Sequence, residues 1–472
     1  MTTNEFAKAE REIIQEQQLQ EKIINEEFKI WKKTVPLLYD LIHTFVLPSP
    51  STVFQWLPSH TTSNESIVVK FLLGTKEGNE HYLKLGSVNL PATLADHNGN
   101  LTIPTSDDTS NFKILSRWKQ TSDINKLKIS PDGKLAISFN NGTIHSYNLD
   151  NSDVFDYKYH KHEGYALDWI DQGFISGAND GQIALWNIEK PSTPIQLFKS
   201  HSGAVNDLSV VPVPHQKLFA SVSDDSTTQL HDIRTLEANP VITVESSHIQ
   251  NAIKFHPNID TLYATGGKDN VVNLYDIRKS DVPFRKLYGH NDSITSLQWD
   301  THNPLTLISS SIDKRVISWN LGKLNEEFDL SDGRKKNVSR IDPCLRFIHG
   351  GHTQRINDFH VHPSVKNLFG TVGDDNLFEV WKPKTLEEEE DVEEHEEHEE
   401  EHEEEHEEEH EEEHEAPEAE TEEQPEEQPE AEAEAKVEAK EEPQTADSMD
   451  VEPKEEPVDE PKEESQDVEM KE

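Results

Sequence analysis

An aspartate that precedes an aromatic residue or a histidine by six positions recurs along this chain. Five pairs follow this rule, and Asn141/Tyr147 is a weaker sixth copy: Asp180/Trp186, Asp225/His231, Asp269/Tyr275, Asp313/Trp319 and Asp375/Trp381. Subtracting the successive first positions from 141 to 375 gives intervals of 39, 45, 44, 44 and 62 residues. Such a period indicates one repeated unit that cannot bury its apolar faces alone and must stack on its neighbours.

Each copy is built of short strands. Val316–Trp319 and Ser296–Trp299 are β-branched and aromatic runs bounded by turn residues. A histidine stands upstream of the aspartate in three copies, at His201, His290 and His352. A period of about 40–45 residues with these markers is typical of WD40 propeller blades. The five aspartates Asp180, Asp225, Asp269, Asp313 and Asp375 are therefore predicted to be structural turn residues.

The segments before the first marked repeat predict a seventh blade. Thr52–Pro58, Ile67–Gly74 and His81–Val88 alternate like strands and are expected to close the ring together with C-terminal strands. Six marked blades are expected from about Trp118 to Thr385, and Leu90–Asn111 is expected to be a surface loop. The fold class is therefore all-β, a seven-bladed WD40 propeller.

The N-terminus carries a helical pattern. Thr3–Lys33 is predicted to be one long helix, and Pro36 is expected to start a second, with Leu37, Leu38, Leu41, Ile42 and Phe45 as its apolar set. This interpretation assigns residues 1–46 to a helical segment and 47–386 to the propeller. The last interval exceeds the one before it by 62 − 44 = 18 residues, which predicts a long loop insert at 323–343.

The negative charge is concentrated at the C-terminal end. Residues 387–472 contain 46 acidic and 5 basic side chains, so −41 of the net charge of −48 lies there and only −7 in the first 386 residues. Large apolar residues nearly vanish in this Glu-, His- and Pro-rich tail, which predicts disorder. Six histidines recur every three or four residues from His395 to His414. They fit either a metal ladder on a helix or the simple expansion of a Glu/His repeat, and the repeat is the favoured interpretation.

Several functional classes are not supported by these residues. The chain has no phosphate-cradling Gly-rich loop, and its body has no Cys/His metal spacing, so we expect no enzyme activity, no cofactor and no metal site. Neither part of the chain is basic, so nucleic acid is not an expected partner, whereas a basic protein is. Cys344 is the single cysteine, which fits a reducing compartment, and no apolar run is long enough to cross a membrane.

Three motifs resemble a known family. Ile24–Lys33 with Pro36–Leu41 and Gln55–Pro58 resemble the N-terminus of the histone-binding WD40 proteins. Phe347–Thr353, followed by Ile356–Phe359, is a second match, and Glu163–Tyr165 before Leu167 is a third. That family includes the retinoblastoma-binding histone chaperones, the small subunit of chromatin assembly factor and the non-catalytic subunit of type B histone acetyltransferase. The resemblance extends from about Ile24 to Trp381.

The resemblance implies a histone H3 site on the face around the central channel. Carried over by motif, its contacts are acidic, polar and aromatic side chains: Asp123, Asn125, Glu163, Tyr165, Asn206, Asp224 and Asp374. Carboxylates beside an aromatic ring suit arginine and lysine side chains. The chain departs from the family pattern at Asn206 and Ser293, where the family favours acids.

The resemblance also implies a groove for a histone H4 helix, between the N-terminal helix and the long loop. Leu38, Phe347 and Ile348 match its apolar floor, although the alternative is that these residues are simply core. The family's loop acids are replaced by Asn337 and Arg340, and Asp329 and Asp332 stand nearby as substitutes.

These motifs predict a non-enzymatic subunit that binds histones H3 and H4 within a larger chromatin complex, such as chromatin assembly factor or the type B acetyltransferase. The alternative is a WD40 scaffold outside chromatin, for example a ubiquitin-ligase substrate adaptor. The basic run Gly333–Lys336 fits either a nuclear-import patch or a solvated loop. The expected location is the nucleus and the cytoplasm.

Overall fold

The computed structural model describes residues 3–63, 66–91, 111–150, 153–171, 173–199, 201–212, 217–235, 239–328 and 340–384. Within the first helix, side chains are described at 18, 19 and from 21 onward. The chain divides into two units, Met1–Glu390 and Asp391–Glu472, and the second lies outside the described residues, as do the predicted loop 92–110 and the histidine-rich repeat.

A single helix, α1 (Thr3–Leu38), begins the chain and includes Pro36 in its last turn. Ile24, Phe28, Trp31 and Val35 recur every three or four residues and turn toward the propeller, where Val35 is fully buried. Among the described residues, no helix combines the length and the apolar content that a membrane span requires.

The second predicted helix is wrong. Tyr39–Val46 form strand β1, which pairs antiparallel with the last strand of the propeller. Pairing with a partner strand satisfies backbone groups that the edge of the ring would otherwise leave open, and this tertiary gain outweighs the local helical pattern. Leu41 and Ile42 are buried in this strand and Phe45 is partly buried.

The strands of the described chain form seven four-stranded antiparallel sheets, which confirms the seven-bladed propeller. Blade 1 contains β2 (Ser51–Thr62), β3 (Ser66–Glu77), β4 (Glu80–Pro91) and β5 (Phe112–Gln120). Blade 2 contains β6 (Lys126–Ile129), β7 (Leu135–Phe139), β8 (Thr143–Asn148) and β9 (Val154–Lys158). Blade 3 contains β10 (Ala166–Ile170), β11 (Gly173–Gly177), β12 (Ile183–Asn187) and β13 (Gln196–Phe198).

The remaining blades follow the same order. Blade 4 contains β14 (Val205–Val210), β15 (Leu218–Ser223), β16 (Thr227–Asp232) and β17 (Ile242–Glu245). Blade 5 contains β18 (Gln250–Phe255), β19 (Leu262–Gly267), β20 (Val271–Asp276) and β21 (Arg285–Tyr288). Blade 6 contains β22 (Ile294–Trp299), β23 (Thr306–Ser311), β24 (Val316–Asn320) and β25 (Leu345–His349), with a 3-10 helix at Leu321–Lys323. Blade 7 contains β26 (Ile356–Val361), β27 (Phe369–Gly373), β28 (Leu377–Pro383) and β1.

The ring closes differently from the prediction. The strands expected to close it form a complete blade 1 together with β5, which contains Trp118. Blade 7 receives β1 as its outer strand instead, with Ile42 paired to Trp381 and Phe45 to Phe378. An N-terminal strand in the last blade ties the two ends of the ring together.

Apolar clusters fill the spaces between neighbouring blades. In the part of the chain that the structure describes, one cluster lies at each of the seven blade junctions. Trp319 of blade 6, for example, packs in the same cluster as Leu274 of blade 5 and is fully buried. Each blade thus buries its two faces against its neighbours, as the repeat period requires.

Within blades 3 and 6, a chain of hydrogen bonds holds the turn aspartate. Trp319 Nε1 donates to Ser309 Oγ (2.8 Å), Ser309 Oγ lies 2.8 Å from His290 Nε2, and His290 Nδ1 lies 2.9 Å from Asp313 Oδ2. Because an indole N–H only donates, the hydroxyl donates onward to Nε2, and the neutral imidazole donates from Nδ1 to the carboxylate. Blade 3 repeats this chain with Trp186, Ser176, His160 and Asp180.

The other turn aspartates vary this arrangement. His201 pairs with Asp225 and Ser221 in blade 4, and His352 pairs with Asp375 and Thr371 in blade 7. Asp269 of blade 5 instead accepts a hydrogen bond from Asn273 Nδ2 at 3.1 Å. The sequence pattern missed His160, which precedes its aspartate by 20 residues, against 23 or 24 in the other three copies.

Polar side chains of the innermost strands cap the backbone of the next blade. Asp207 accepts from the Ile253 N–H, Asp358 from the Phe54 N–H and Gln298 from the Val361 N–H. These N–H groups lie on the open edge of each sheet, where no further strand pairs with them. This capping explains why strands lining the channel carry polar residues, and why several of them are buried.

Candidate functional site

A cavity of about 1210 Å³ opens at the centre of one face of the propeller. All seven blades contribute to its wall, through the starts of their innermost strands and through nearby turns. Six of the seven residues predicted for the H3 face line it: Asp123, Asn125, Glu163, Tyr165, Asn206 and Asp374. The seventh, Asp224, stands beside the cavity, and its Oδ1 accepts a hydrogen bond from Asn206 Nδ2 at 3.0 Å.

Glu163 and Tyr165 form a fixed acidic and aromatic corner on blade 3. Asn125 Nδ2 donates to Glu163 Oε2 and Asn179 Nδ2 donates to Oε1, both at 3.4 Å. The Tyr165 side chain is 39% exposed, and partial burial together with the Glu163 charge raises its pKa. Two amide donors orient the carboxylate beside an accessible ring, an arrangement that suits a guanidinium or an ammonium group.

Asn206 and Asn357 have the same role in blades 4 and 7. Asn206 Nδ2 donates to Asp224 Oδ1 and to the Gln250 carbonyl, both at 3.0 Å. Asn357 Nδ2 donates to Asp374 Oδ1 (2.7 Å) and to the Ser51 carbonyl (3.0 Å). Each asparagine therefore ties a rim carboxylate to the backbone of the next blade. Asn357 was not predicted from the sequence, although the parallel motifs Val205–Leu208 and Ile356–Phe359 contain the signal.

Basic side chains lie in the channel beneath this rim. Lys126 Nζ is 3.7 Å from Asp207 Oδ1, and Lys254 Nζ is 3.6 Å from Asp207 Oδ2. Burial opposes ionisation of Asp207, but Lys126 and Lys254 hold its pKa below the usual value. Burial, with the neighbouring Lys254 charge, lowers the pKa of Lys128 to about 8. The channel aspartates thus offset the lysines, and the rim carboxylates remain for a ligand.

The residues predicted for the H4 groove do not all share one surface. Leu38 is 37% exposed at the end of α1. Phe347 packs against Tyr39 and Trp381 at the junction of blades 6 and 7. Ile348 leaves β25 on the opposite side and packs at the junction of blades 5 and 6. The structure therefore brings Leu38 and Phe347 to the α1 side of blade 6, and places Ile348 on its other side.

The loop predicted to border this groove is described only at its ends. Asp329, Asp332 and Asn337 lie outside the described residues, and Arg340 is exposed. Arg285 of blade 5 contacts both ends, because its guanidinium lies 4.7 Å from the centre of the Phe328 ring and its Nη2 lies 3.1 Å from Asp342 Oδ1. Asp342 is buried and also accepts hydrogen bonds from the backbone N–H groups of Tyr288 and Cys344.

A buried polar cluster behind the groove includes the atoms that best match a metal-ligand set in the described chain. His349, His352 and Glu379 each offer a ligand atom, and these atoms lie within 4.8 Å of one another. His352, however, makes the same contacts with Asp375 and Thr371 that the blade-turn histidines make in three other blades. His349 Nδ1 lies 2.9 Å from the Tyr39 hydroxyl, and its Nε2 lies 3.1 Å from Glu379. We therefore assign the cluster to packing of α1 and β1, not to metal binding.

Comparison with known proteins identifies the family. The family model for the histone-binding protein RBBP4 and its counterpart in the CAF1 complex matches residues 26–92, and the WD domain, G-beta repeat, matches 192–232 and 281–320. Proteins named histone acetyltransferase type B subunit 2 are similar over most of their length. The Candida glabrata protein is 31% identical over 78% of this chain and 90% of its own. The Debaryomyces hansenii protein is 32% identical over 79% and 94%, and the Schizosaccharomyces pombe protein 33% over 78% and 91%.

This chain belongs to the histone acetyltransferase type B subunit 2 family. The resemblance carried by the Ile24–Lys33 helix and the Phe347–Thr353 strand is thereby confirmed. The family model covers the second half of α1 and the first three strands of blade 1, the part of the fold in which the helix meets the closing strand.

Proposed function

We propose that this member of the type B subunit 2 family is a non-enzymatic subunit that binds histones H3 and H4 and presents them to a catalytic or assembly partner. It works in type B histone acetylation or in chromatin assembly, in the nucleus and the cytoplasm. The names of the relatives support the complex, and the oriented Glu163 carboxylate beside Tyr165 is the observation that supports a basic ligand.

The central cavity is the proposed site for the N-terminal segment of histone H3. Its rim carries carboxylates on blades 2, 3 and 7, namely Asp123, Glu163 and Asp374. Lys268 and Arg355 line the wall on blades 5 and 7. An extended basic peptide gains charge-assisted contacts at the carboxylates, and the two cations fix its direction across the cavity.

Glu163→Gln tests this site while keeping the shape of the side chain. We expect an H3 N-terminal peptide to bind more weakly by about 1–3 kcal/mol, because a charge-assisted contact becomes a neutral one. Calorimetric titration of the purified protein measures the change. Glu189→Gln, at an exposed position outside the cavity, is the matched control and should bind like the wild type. Equal affinities for all three proteins would remove the cavity from the proposal.

The surface formed by Leu38 and Phe347 is the proposed site for an H4 helix. Leu38 offers an exposed apolar side chain at the end of α1, and Phe347 lies close by against Tyr39. Helices bind to such surfaces through an apolar stripe. Ile348 is not part of this proposal, because it packs on the other side of blade 6.

Leu38→Asp should abolish capture of an H4 helix peptide and leave the H3 peptide unaffected, because a charge in an apolar contact must be desolvated. Ile195→Asp, at a 62% exposed position on blade 3, is the control. Fluorescence anisotropy with both labelled peptides separates the two sites. A folded Leu38→Asp protein that still binds the H4 peptide would show that Leu38 belongs only to the packing of α1.

A further inference from the structure

A second cavity opens between blades 2 and 3, on the face opposite the central cavity. It has a volume of about 420 Å³ and is lined by the β6–β7 turn, by the β10–β11 turn and by Ile188. The innermost strands β6 and β10 begin beside the central cavity, at Asn125 and Tyr165, so the turns at their far ends lie on the other face. We call this space the blade 2–3 cleft. None of its lining residues is shared with the central cavity.

One rim of the cleft is a rigid turn that fixes a carboxylate. The Ser130–Gly133 segment, Ser-Pro-Asp-Gly, closes with a hydrogen bond from the Gly133 N–H to the Ser130 carbonyl at 2.9 Å, and Gly133 has a φ of +72°. Ser130 Oγ donates to Asp132 Oδ1 at 2.5 Å, and the Lys134 N–H donates to the same oxygen at 3.2 Å. The Ser130 hydrogen bond lowers the pKa of Asp132. This rim therefore presents an oriented, charged carboxylate.

The other rim and the walls complete an amphipathic site. Pro131, Leu135, Ile170, Ile188 and Trp169 supply apolar surface. Asp171 lies on the blade 3 rim, and its Oδ2 is held 3.2 Å from Lys217 Nζ of blade 4. Apolar walls with a few oriented polar groups are the composition of a binding pocket, and 420 Å³ falls within the range of such sites.

We propose that the blade 2–3 cleft binds an arginine side chain of a partner protein. The aliphatic part of the side chain packs on Leu135, Ile170 and Ile188, and the guanidinium lies between the carboxylates of Asp132 and Asp171. Arginine fits better than lysine because its planar fork donates to acceptors on two sides and stacks on an indole, whereas an ammonium is a point charge. The cleft is separate from the central cavity, so this proposal does not depend on histone binding there.

The test uses the full chain labelled with 5-fluorotryptophan and ¹⁹F NMR. The chain has eight tryptophans, and Trp169→Phe identifies the signal of the residue in the cleft. The probe is the peptide acetyl-Gly-Gly-Arg-Gly-Gly-amide. The comparison peptides replace arginine with citrulline, which has nearly the same shape without the charge, or with lysine. We expect the arginine peptide to shift the Trp169 signal saturably, and both comparison peptides to require at least tenfold higher concentrations.

Paired substitutions locate the effect. Asp132→Asn with Asp171→Asn should weaken binding of the arginine peptide at least tenfold, because both charge-assisted contacts are lost. Asp150→Asn with Asp281→Asn removes the same charge at exposed positions outside the cleft and should leave the titration unchanged. An unmoved Trp169 signal, equal shifts with the citrulline or lysine peptide, or equal losses in both double variants would each overturn the proposal.

Discussion

Adjacent aspartates on the cavity rim have opposite roles. In Asp224–Asp225 and in Asp374–Asp375, the first residue is exposed near the central cavity, and the second lies beneath it against a histidine. The second carboxylate is satisfied inside its own blade, by His201 in one case and by His352 in the other. Only the first carboxylate of each pair is therefore available to a ligand.

Asp225 provides a pH-dependent contribution to stability. Burial tends to raise its pKa, but hydrogen bonds from Thr227 and His201 lower it to about 2, from a usual 3.8. A depressed carboxyl pKa stabilises the fold at pH values above the unfolded pKa. This contribution is therefore complete above about pH 4 and is lost as the pH falls from there toward 2.

Asp225→Asn should lower the free energy of unfolding at pH 7 by about 1–3 kcal/mol, because His201 loses a charged acceptor inside the blade. Urea denaturation between pH 2 and 7 should show the deficit shrinking as the solution becomes more acidic, since the wild type loses the same contribution. Asp224→Asn is the matched control at the neighbouring exposed position, and we expect a change of only about 0.5 kcal/mol. A pH-independent deficit would contradict this assignment.

Among the elements, β1 has the greatest effect on how the chain closes. It brings residues 39–46 against β28, more than 330 positions later in the sequence by subtraction of the paired residues Ile42 and Trp381. Ile42 is 3% exposed, whereas Val46 at the end of the same strand is 67% exposed. Tyr39 links this strand to α1, because Trp31 Nε1 donates to its hydroxyl at 3.0 Å.

Ile42→Ala should destabilise the propeller by about 2–5 kcal/mol, through lost apolar contact and the space left in the cluster around Trp381. Val46→Ala makes a similar reduction on the exposed end of the strand and should change stability by about 0.5 kcal/mol or less. Thermal unfolding of the two variants compares these positions directly. Similar midpoints for Ile42→Ala and the wild type would mean that β1 contributes little to ring closure.

At the scale of the whole molecule, the charge is separated from the fold. The described propeller accounts for the binding surfaces, whereas residues 387–472 carry −41 of the net charge of −48. Charges of one sign accelerate encounters with an oppositely charged partner, and salt screens them over about 10 Å at 0.1 M.

Removal of residues 387–472 should therefore slow association with basic histones at low salt, and the difference should disappear as ionic strength rises. Stopped-flow measurements at several salt concentrations test this expectation. The thermal transition of the propeller should stay where it is, because the tail is nearly devoid of large apolar residues. A truncated protein without a cooperative transition would place part of the folded domain beyond residue 386.

The sequence by itself determined the repeat and therefore the architecture. The spacing from Asp180 to Trp186, copied at four further positions, predicts a propeller, because a lone four-stranded blade leaves both faces exposed. The Glu163–Tyr165 motif likewise led to the central cavity, because the starts of the innermost strands of a propeller meet there. Local patterns were sufficient in these cases, since the contacts involved lie within one repeat or follow from the symmetry of the ring.

Only the tertiary structure decided the outcome where distant segments meet. Pro36–Phe45 has helical spacing, yet its second part becomes β1 because the open edge of β28 offers backbone hydrogen bonds that a helix cannot supply. Phe347 and Ile348 are neighbours in a family motif, yet they pack in different blade junctions because successive side chains of a strand point to opposite faces. The blade 2–3 cleft likewise arises between two turns about 40 residues apart in sequence, and no local pattern joins them.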